Sequence, residues 1–246
     1  MKNRACLSLV FTFFFLNTLC LKANSWENPK QMETLRCRID AKINALQKEE
    51  SQQKAKLEAP NAHLSDKQKD KIAAAIKDLD SRLAELTISK GDIDRLGNDP
   101  QHIYSFSNTG ENSVVRKTDK EIIIQGANDA LLIHEIRHIS LWLQTGRDFR
   151  FSRDNFLKPI FADGGSMDEL QAYRAQYAFE PNSLPWSFHP NIEFVNIESI
   201  SNIQKGDGTF AYPDIRQMWE TNLKIAQSKA KLKQSTAVVY STMASQ

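Results

Sequence analysis

The sequence predicts an α+β protein: a long antiparallel helical hairpin, then a small antiparallel or mixed sheet, then further helices. Three observations lead there. Residues 28–89 contain neither an aromatic residue nor a glycine. Apolar side chains recur there in steps of three and four, and beyond Gly91 short β-prone runs replace the helical period.

Residues 1–25 read as an export signal, because Lys2 and Arg4 precede an apolar run from Leu7 to Phe15 that continues less strictly to Leu21. Small residues at Ala23 and Ser25 stand at cleavage spacing, which places the cut just before Trp26. The run is too short, and too interrupted by Asn17 and Thr18, to span a bilayer, so no stable membrane span is expected after cleavage. A lipid anchor on Cys20 is disfavoured by Leu19, where a small residue is needed. The chain is therefore expected in the periplasm or outside the cell. The whole sequence has 32 Lys and Arg against 30 Asp and Glu, and the signal takes away Lys2, Arg4 and Lys22 but no acid. The remainder is close to neutral, which excludes nucleic acid and acidic surfaces as partners, since both require clustered positive charge. Of the three cysteines only Cys37 lies beyond the signal, so no internal disulfide can form and a packed core must carry the stability.

Residues 26–90 form the expected hairpin. Met32, Leu35, Ile39, Ile43 and Leu46 make one narrow stripe and Ile72, Ile76, Leu79, Leu83 and Leu86 the other, with Pro60 and Asn61 between them and Ser65 placed to cap the second helix. If each stripe is consumed by the other, removal of 26–90 leaves a folded domain. That domain spans 91–233. Ile103 to Phe106, Ser113 to Arg116 and Glu121 to Gln125 are its strands, read as an antiparallel sheet. Asn128 or Asp129 then caps a helix that runs to about Gln144 and closes at Gly146. Another helix runs from Ser166 to Phe179 and is ended by Pro181 and Pro185. Extended segments around Ile192 to Ile200 and a turn at Gly206-Asp207-Gly208 lead to a last helix from about Pro213. Residues 234–246 read as a polar, frayed tail.

The chemistry concentrates at His134-Glu135-Ile136-Arg137-His138, an H-E-x-x-H pattern in an otherwise apolar helix. Four-residue spacing puts both imidazoles on one face, where two ring nitrogens meet one Zn2+. Glu135, one residue past the first ligand, reaches a water rather than the metal and serves as general base. A third ligand comes from Asp148, Asp163, Asp168, Glu169, Glu180 or His189, and Glu169 is the choice, because Asp168-Glu169-Leu170-Gln171-Ala172-Tyr173 lies on a second helix with Ala172 keeping its face slim. The competing reading makes Ser166-Met167-Asp168-Glu169 a capping box.

A β-run, an H-E-x-x-H helix and a second helix with Glu followed by Ala together resemble the zincin metallopeptidases of the gluzincin type, over residues 100–215. More narrowly, the chain is similar to metallopeptidase-like domains of exported bacterial proteins. The resemblance implies a zincin-like fold and hydrolysis of a peptide or protein substrate, with metal ligands His134, His138 and Glu169 and general base Glu135. In the best-known gluzincins an Asp four residues after the third ligand supports a metal-binding His. Tyr173 stands there instead, which leaves Asp129 or Asp168 as replacements. Such enzymes hold the oxyanion with a His or Tyr, for which His189 and Tyr212 are the candidates. His63 and His102 read as surface or strand residues, and Tyr173, Tyr177 and Phe179 as core. Two alternatives stand beside the peptidase: an amidase acting on cell-wall or other amides, and a non-catalytic interaction protein stabilised by the metal.

Overall fold

The computed structural model describes residues 25–59, 63–108, 112–160, 165–184 and 191–243. The segment read as an export signal lies outside them, save Ser25. Asn28 starts α1 (Pro29–Glu58) by accepting the Gln31 amide at 3.3 Å, with Pro29 preset at the first helical position. Ser65 and Gln68 close a capping box at the start of α2 (Asp66–Gly97). The two helices, 30 and 32 residues, are each about 45 to 48 Å long. They form the expected hairpin, burying Leu35, Ile39 and Leu46 of α1 and Leu79 and Leu86 of α2.

Three strands follow, β1 (Ile103–Ser107), β2 (Ser113–Arg116) and β3 (Glu121–Gln125), in the spatial order β1-β3-β2. The sheet is mixed, not antiparallel throughout. β2 and β3 form a tight antiparallel hairpin, closed by the Lys117 amide donating to Glu121 O at 2.8 Å, so β1 must take the other edge of β3, where it runs parallel. Tyr104 pairs with Ile122, and Ile124 with both Phe106 and Val114, which sets these side chains on one face. Both outer edges are covered. Ser25 O accepts the Tyr104 amide at 2.7 Å on one side, and the Leu157 amide donates to Val114 O at 2.9 Å on the other.

The buried sheet face packs on α3 (Asp129–Thr145), whose N-cap is Asn128 rather than Asp129 and whose end is Gly146 at φ 63°. The turn from β3 into α3 is close: a Cβ on Gly126 would lie 2.9 Å from the Leu132 amide nitrogen. α4 (Ser166–Phe179) lies against α3, and Ala172, Ala175 and Ala178, all at 0 % exposure, form the slim side that permits this. Around Ile192 to Ile200, expected to be extended, the chain instead forms a 3-10 turn (Ile192–Phe194) and α5 (Ile197–Ser201), each started by an Asn cap, and α6 (Pro213–Met243) continues as helix through residues expected to fray. Among the described residues, no helix is long and apolar enough to cross a membrane.

The hairpin packs on the rest of the chain. α2 runs past the expected boundary at residue 90 and buries Ser89, Asp92, Ile93 and Leu96, packing on α3 and α4 as well as α1. One apolar cluster joins Leu35 and Leu86 to Ile124, Ile136 and Tyr177. Polar contacts reinforce it. Arg137, inside the H-E-x-x-H pattern and 2 % exposed, donates to Asp92 Oδ2 at 2.5 Å, Glu85 Oε2 at 3.2 Å and Ser89 Oγ at 3.4 Å. Ser140 Oγ donates to Asp92 Oδ1 at 2.5 Å. The two stripes are therefore not consumed by each other alone: α2 covers α3 and supplies the counter-charges to its buried arginine.

Candidate functional site

α3 presents His134 and His138 one turn apart, with their Nε2 atoms separated by 3.2 Å. α4 brings Glu169 to them, Oε2 at 3.5 Å from His134 Nε2 and Oε1 at 3.6 Å from His138 Nε2. Ligand atoms 2.0–2.1 Å from a tetrahedral zinc stand about 3.3–3.4 Å apart. The two Nε2 atoms thus stand at about the separation of two ligands on one such tetrahedron, and Glu169 brings one carboxylate oxygen to each ring, so the triangle of donor residues can reach a single cation. Glu169 Oε2 is buried and accepts no hydrogen bond, a costly state that a cation at the centre of the triangle would relieve.

The competing capping reading of Glu169 does not hold in the fold. α4 begins at Ser166, its N-cap is Gly165 at φ 82°, and no side chain caps it. Glu169 is thus one position beyond the capping-box site. Gly165 is required there twice over, by its left-handed backbone and because a Cβ would come within 2.8 Å of Pro159. The first turn of α4 is thereby left to its side chains' other work.

Gln176, two turns after Glu169 on the same helix, orients the first histidine. Its Nε2 donates to Ser183 O at 3.1 Å, and a carbonyl can only accept, so Gln176 Oε1 faces His134 Nδ1 at 3.0 Å. The proton of His134 is consequently on Nδ1, and the Nε2 lone pair points into the triangle. This was the residue missed from sequence. Asp129 and Asp168, the expected replacements, are occupied otherwise: Asp129 pairs with Arg38 at 2.7 Å and Asp168 Oδ2 accepts the Ile160 amide at 2.6 Å.

Burial dominates the electrostatics. It pushes the His138 imidazolium down to about 4, so that ring is a neutral ligand near pH 7. Burial also lowers His134, but the Glu169 and Glu135 carboxylates outweigh it and the net shift is upward. Glu169 is the mirror case: burial raises it, His138 and His134 pull it down, and the result is lowered. Glu135, 7 % exposed, is pushed up to about 7 by burial, with Glu169 adding to the rise.

The triangle opens onto a cavity of about 720 Å³, whose wall includes Glu135, Tyr173 and Tyr212 on the polar side and Val114, Trp142 and Leu157 on the apolar side. Tyr212 reaches the site as expected for an oxyanion donor. Its hydroxyl is 2.8 Å from that of Tyr173, and burial together with the Glu169 carboxylate holds the phenol above its ordinary value, hence protonated. Tyr173 belongs to the core as expected and also lines the cavity, its ring edge-on to His134 with centroids 4.6 Å apart. Tyr177 is core as expected, 4 % exposed. His189 and Asp163 fall outside the described residues. Asp148 lines a different cavity with His102, and Glu180 lies 3.6 Å from Lys42 Nζ, so neither joins the triangle.

Comparison with protein-family models, with curated proteins and with solved structures finds no match. The chemistry of the site accordingly rests on its own geometry.

Proposed function

We propose that this chain is an exported zincin-like metallopeptidase that hydrolyses peptide bonds in peptide or protein substrates outside the cytoplasm. The observation that carries this is the His134, His138 and Glu169 group, whose donor atoms lie within 4.8 Å of one another, with Glu135 buried beside it at the edge of an open cavity. When bound, Zn2+ supplies Lewis acidity toward the scissile carbonyl and acidifies a neighbouring water. Glu135 takes the proton of the attacking water, whose oxygen bonds to the carbonyl carbon. Tyr212 donates a hydrogen bond to the oxygen as it gains negative charge. Glu135 then delivers the proton to the departing nitrogen as the C–N bond breaks.

Against a purely structural metal, the cavity beside the triangle leaves one side of the site open, whereas structural zinc is enclosed by four protein ligands. An acid one residue from a ligand also has no use in a structural site. Glu135→Gln preserves shape but cannot accept a proton, so metal content should stay at wild-type level while casein or peptide hydrolysis falls by ~10³-fold or more. Wild-type turnover by this variant would overturn the assignment. An inactive wild type with tightly held zinc would favour the interaction-protein reading.

A further inference from the structure

We propose that Lys158 and Lys205 form an anion-binding subsite in the same cavity, selecting substrates that carry a carboxylate close to the scissile amide. The inference deepens the peptidase reading and rests on it. Both lysines line the cavity that holds the metal-ligand triangle. Each is anchored at its backbone. The Lys158 amide donates to Arg150 O at 2.8 Å and its carbonyl accepts Trp142 Nε1 at 2.8 Å. The Lys205 amide donates to Thr209 O at 2.8 Å and its carbonyl accepts the Gly208 amide at 2.9 Å, in the turn that leads to Tyr212. Two different loops thus hold a lysine Cα at a fixed place on the cavity wall.

Lysines of the hairpin are paired. Lys42, Lys77 and Lys90 pair with Glu180, Glu193 and Asp40. Among the described residues no carboxylate stands within ion-pair distance of Lys158 or Lys205. Of the acids on the same wall, Asp168 accepts the Ile160 amide, and Glu169 and Glu135 sit with the two histidines. Both lysines are exposed, so a ligand in the cavity can meet them without burying an unpaired charge, and a lysine–carboxylate contact is a charge-assisted hydrogen bond. Lysine binds as a flexible point charge, so the partner is a single carboxylate rather than a planar group requiring a bidentate fork. That carboxylate is either a C-terminal α-carboxylate or an Asp or Glu side chain.

The test uses full-length metal-loaded protein carrying Glu135→Gln, to prevent turnover, and fluorescence anisotropy with labelled hexapeptides of one sequence. The peptides are neutral and C-terminally amidated, neutral with a free C-terminus, or amidated with one central Glu. At least one carboxylate-bearing peptide should bind about tenfold or more tightly than the neutral one, and which of the two does so separates the sources. Adding Lys158→Met and Lys205→Met should remove that preference and leave the neutral peptide's affinity in place, while Lys→Glu at both positions should invert it. Equal binding of all three peptides, no binding by any, or a preference that survives the double Met change would each overturn the subsite. Failure of the underlying reading looks different. Wild-type hydrolysis of casein without charge selectivity sinks only the subsite, whereas charge-selective binding without any hydrolysis sinks the peptidase and keeps the subsite.

Discussion

Replacing Asp92 with asparagine tests the coupling between the hairpin and α3, the helix that carries His134 and His138. Asp92 is 1 % exposed and receives Arg137 Nε at 2.5 Å, Ser140 Oγ at 2.5 Å and Arg95 Nη1 at 3.1 Å. Asparagine keeps the volume but removes the charge, leaving Arg137 buried with Glu85 alone, at 3.2 Å and 18 % side-chain exposure. Breaking one side of a buried ion pair costs about 3–5 kcal/mol, against a total stability of about 5–15 kcal/mol for a domain. With a urea slope near 2 kcal/mol per molar, the unfolding midpoint should fall by about 2 M, and Tm by about 10 °C. Circular dichroism in urea, on metal-free and metal-loaded protein, measures this directly. Asp92→Asn combined with Arg137→Met should recover most of the loss, because the uncompensated cation is then absent. A midpoint shift under about 0.5 M, or additive losses in the double variant, would refute the argument that this pair locks α2 onto α3.

The remaining predictions concern the site. Glu169→Gln removes an anionic ligand without disturbing a cap, so zinc retained after dialysis against a weak chelator should drop as far as in His138→Ala; retention at wild-type level would eliminate Glu169 as third ligand. Gln176→Leu leaves His134 Nδ1 without its acceptor and should weaken zinc binding about 10- to 100-fold in a chelator competition, with unchanged affinity counting against the orienting role. Tyr212→Phe should lower kcat about 10²- to 10³-fold with zinc content unchanged, and a purely KM effect would reassign Tyr212 to substrate contact.

Local patterns were legible where the physics is local. The four-residue spacing of His134 and His138 puts two imidazoles on one helix face, and the fold brings their Nε2 atoms to 3.2 Å. The runs Ser113–Arg116 and Glu121–Gln125 are strands with the expected bounds, since β-prone runs bounded by turn residues report short strands. Capping chemistry placed the starts of α2 and α3 and the end of α3 within a residue or two. What sequence could not resolve was mostly nonlocal or polar.

Glu169 illustrates the limit. Its neighbours spell a capping box, and only the position of Gly165 in the folded turn frees its carboxylate for the histidines. Gln176 carried no signal because an amide on a helix is usually solvated, and its role depends on Ser183 and His134 arriving from elsewhere in the chain. Asp92, Ser89 and Glu85 likewise carried no signal, since polar residues off an apolar stripe ordinarily meet water. They turn inward only because Arg137 is buried on α3 and requires counter-charges. The parallel pairing of β1 with β3 is of the same kind, because strand direction follows from which sheet edge remains after β2 and β3 have paired. The sequence by itself determined the long helices, the strands and the placing of His134 and His138 on one helix face, whose determinants lie within a turn or two of each other. The approach of Glu169 and Gln176 to those histidines and the seat of the hairpin were decided by the tertiary structure, because each depends on groups brought together across dozens of residues.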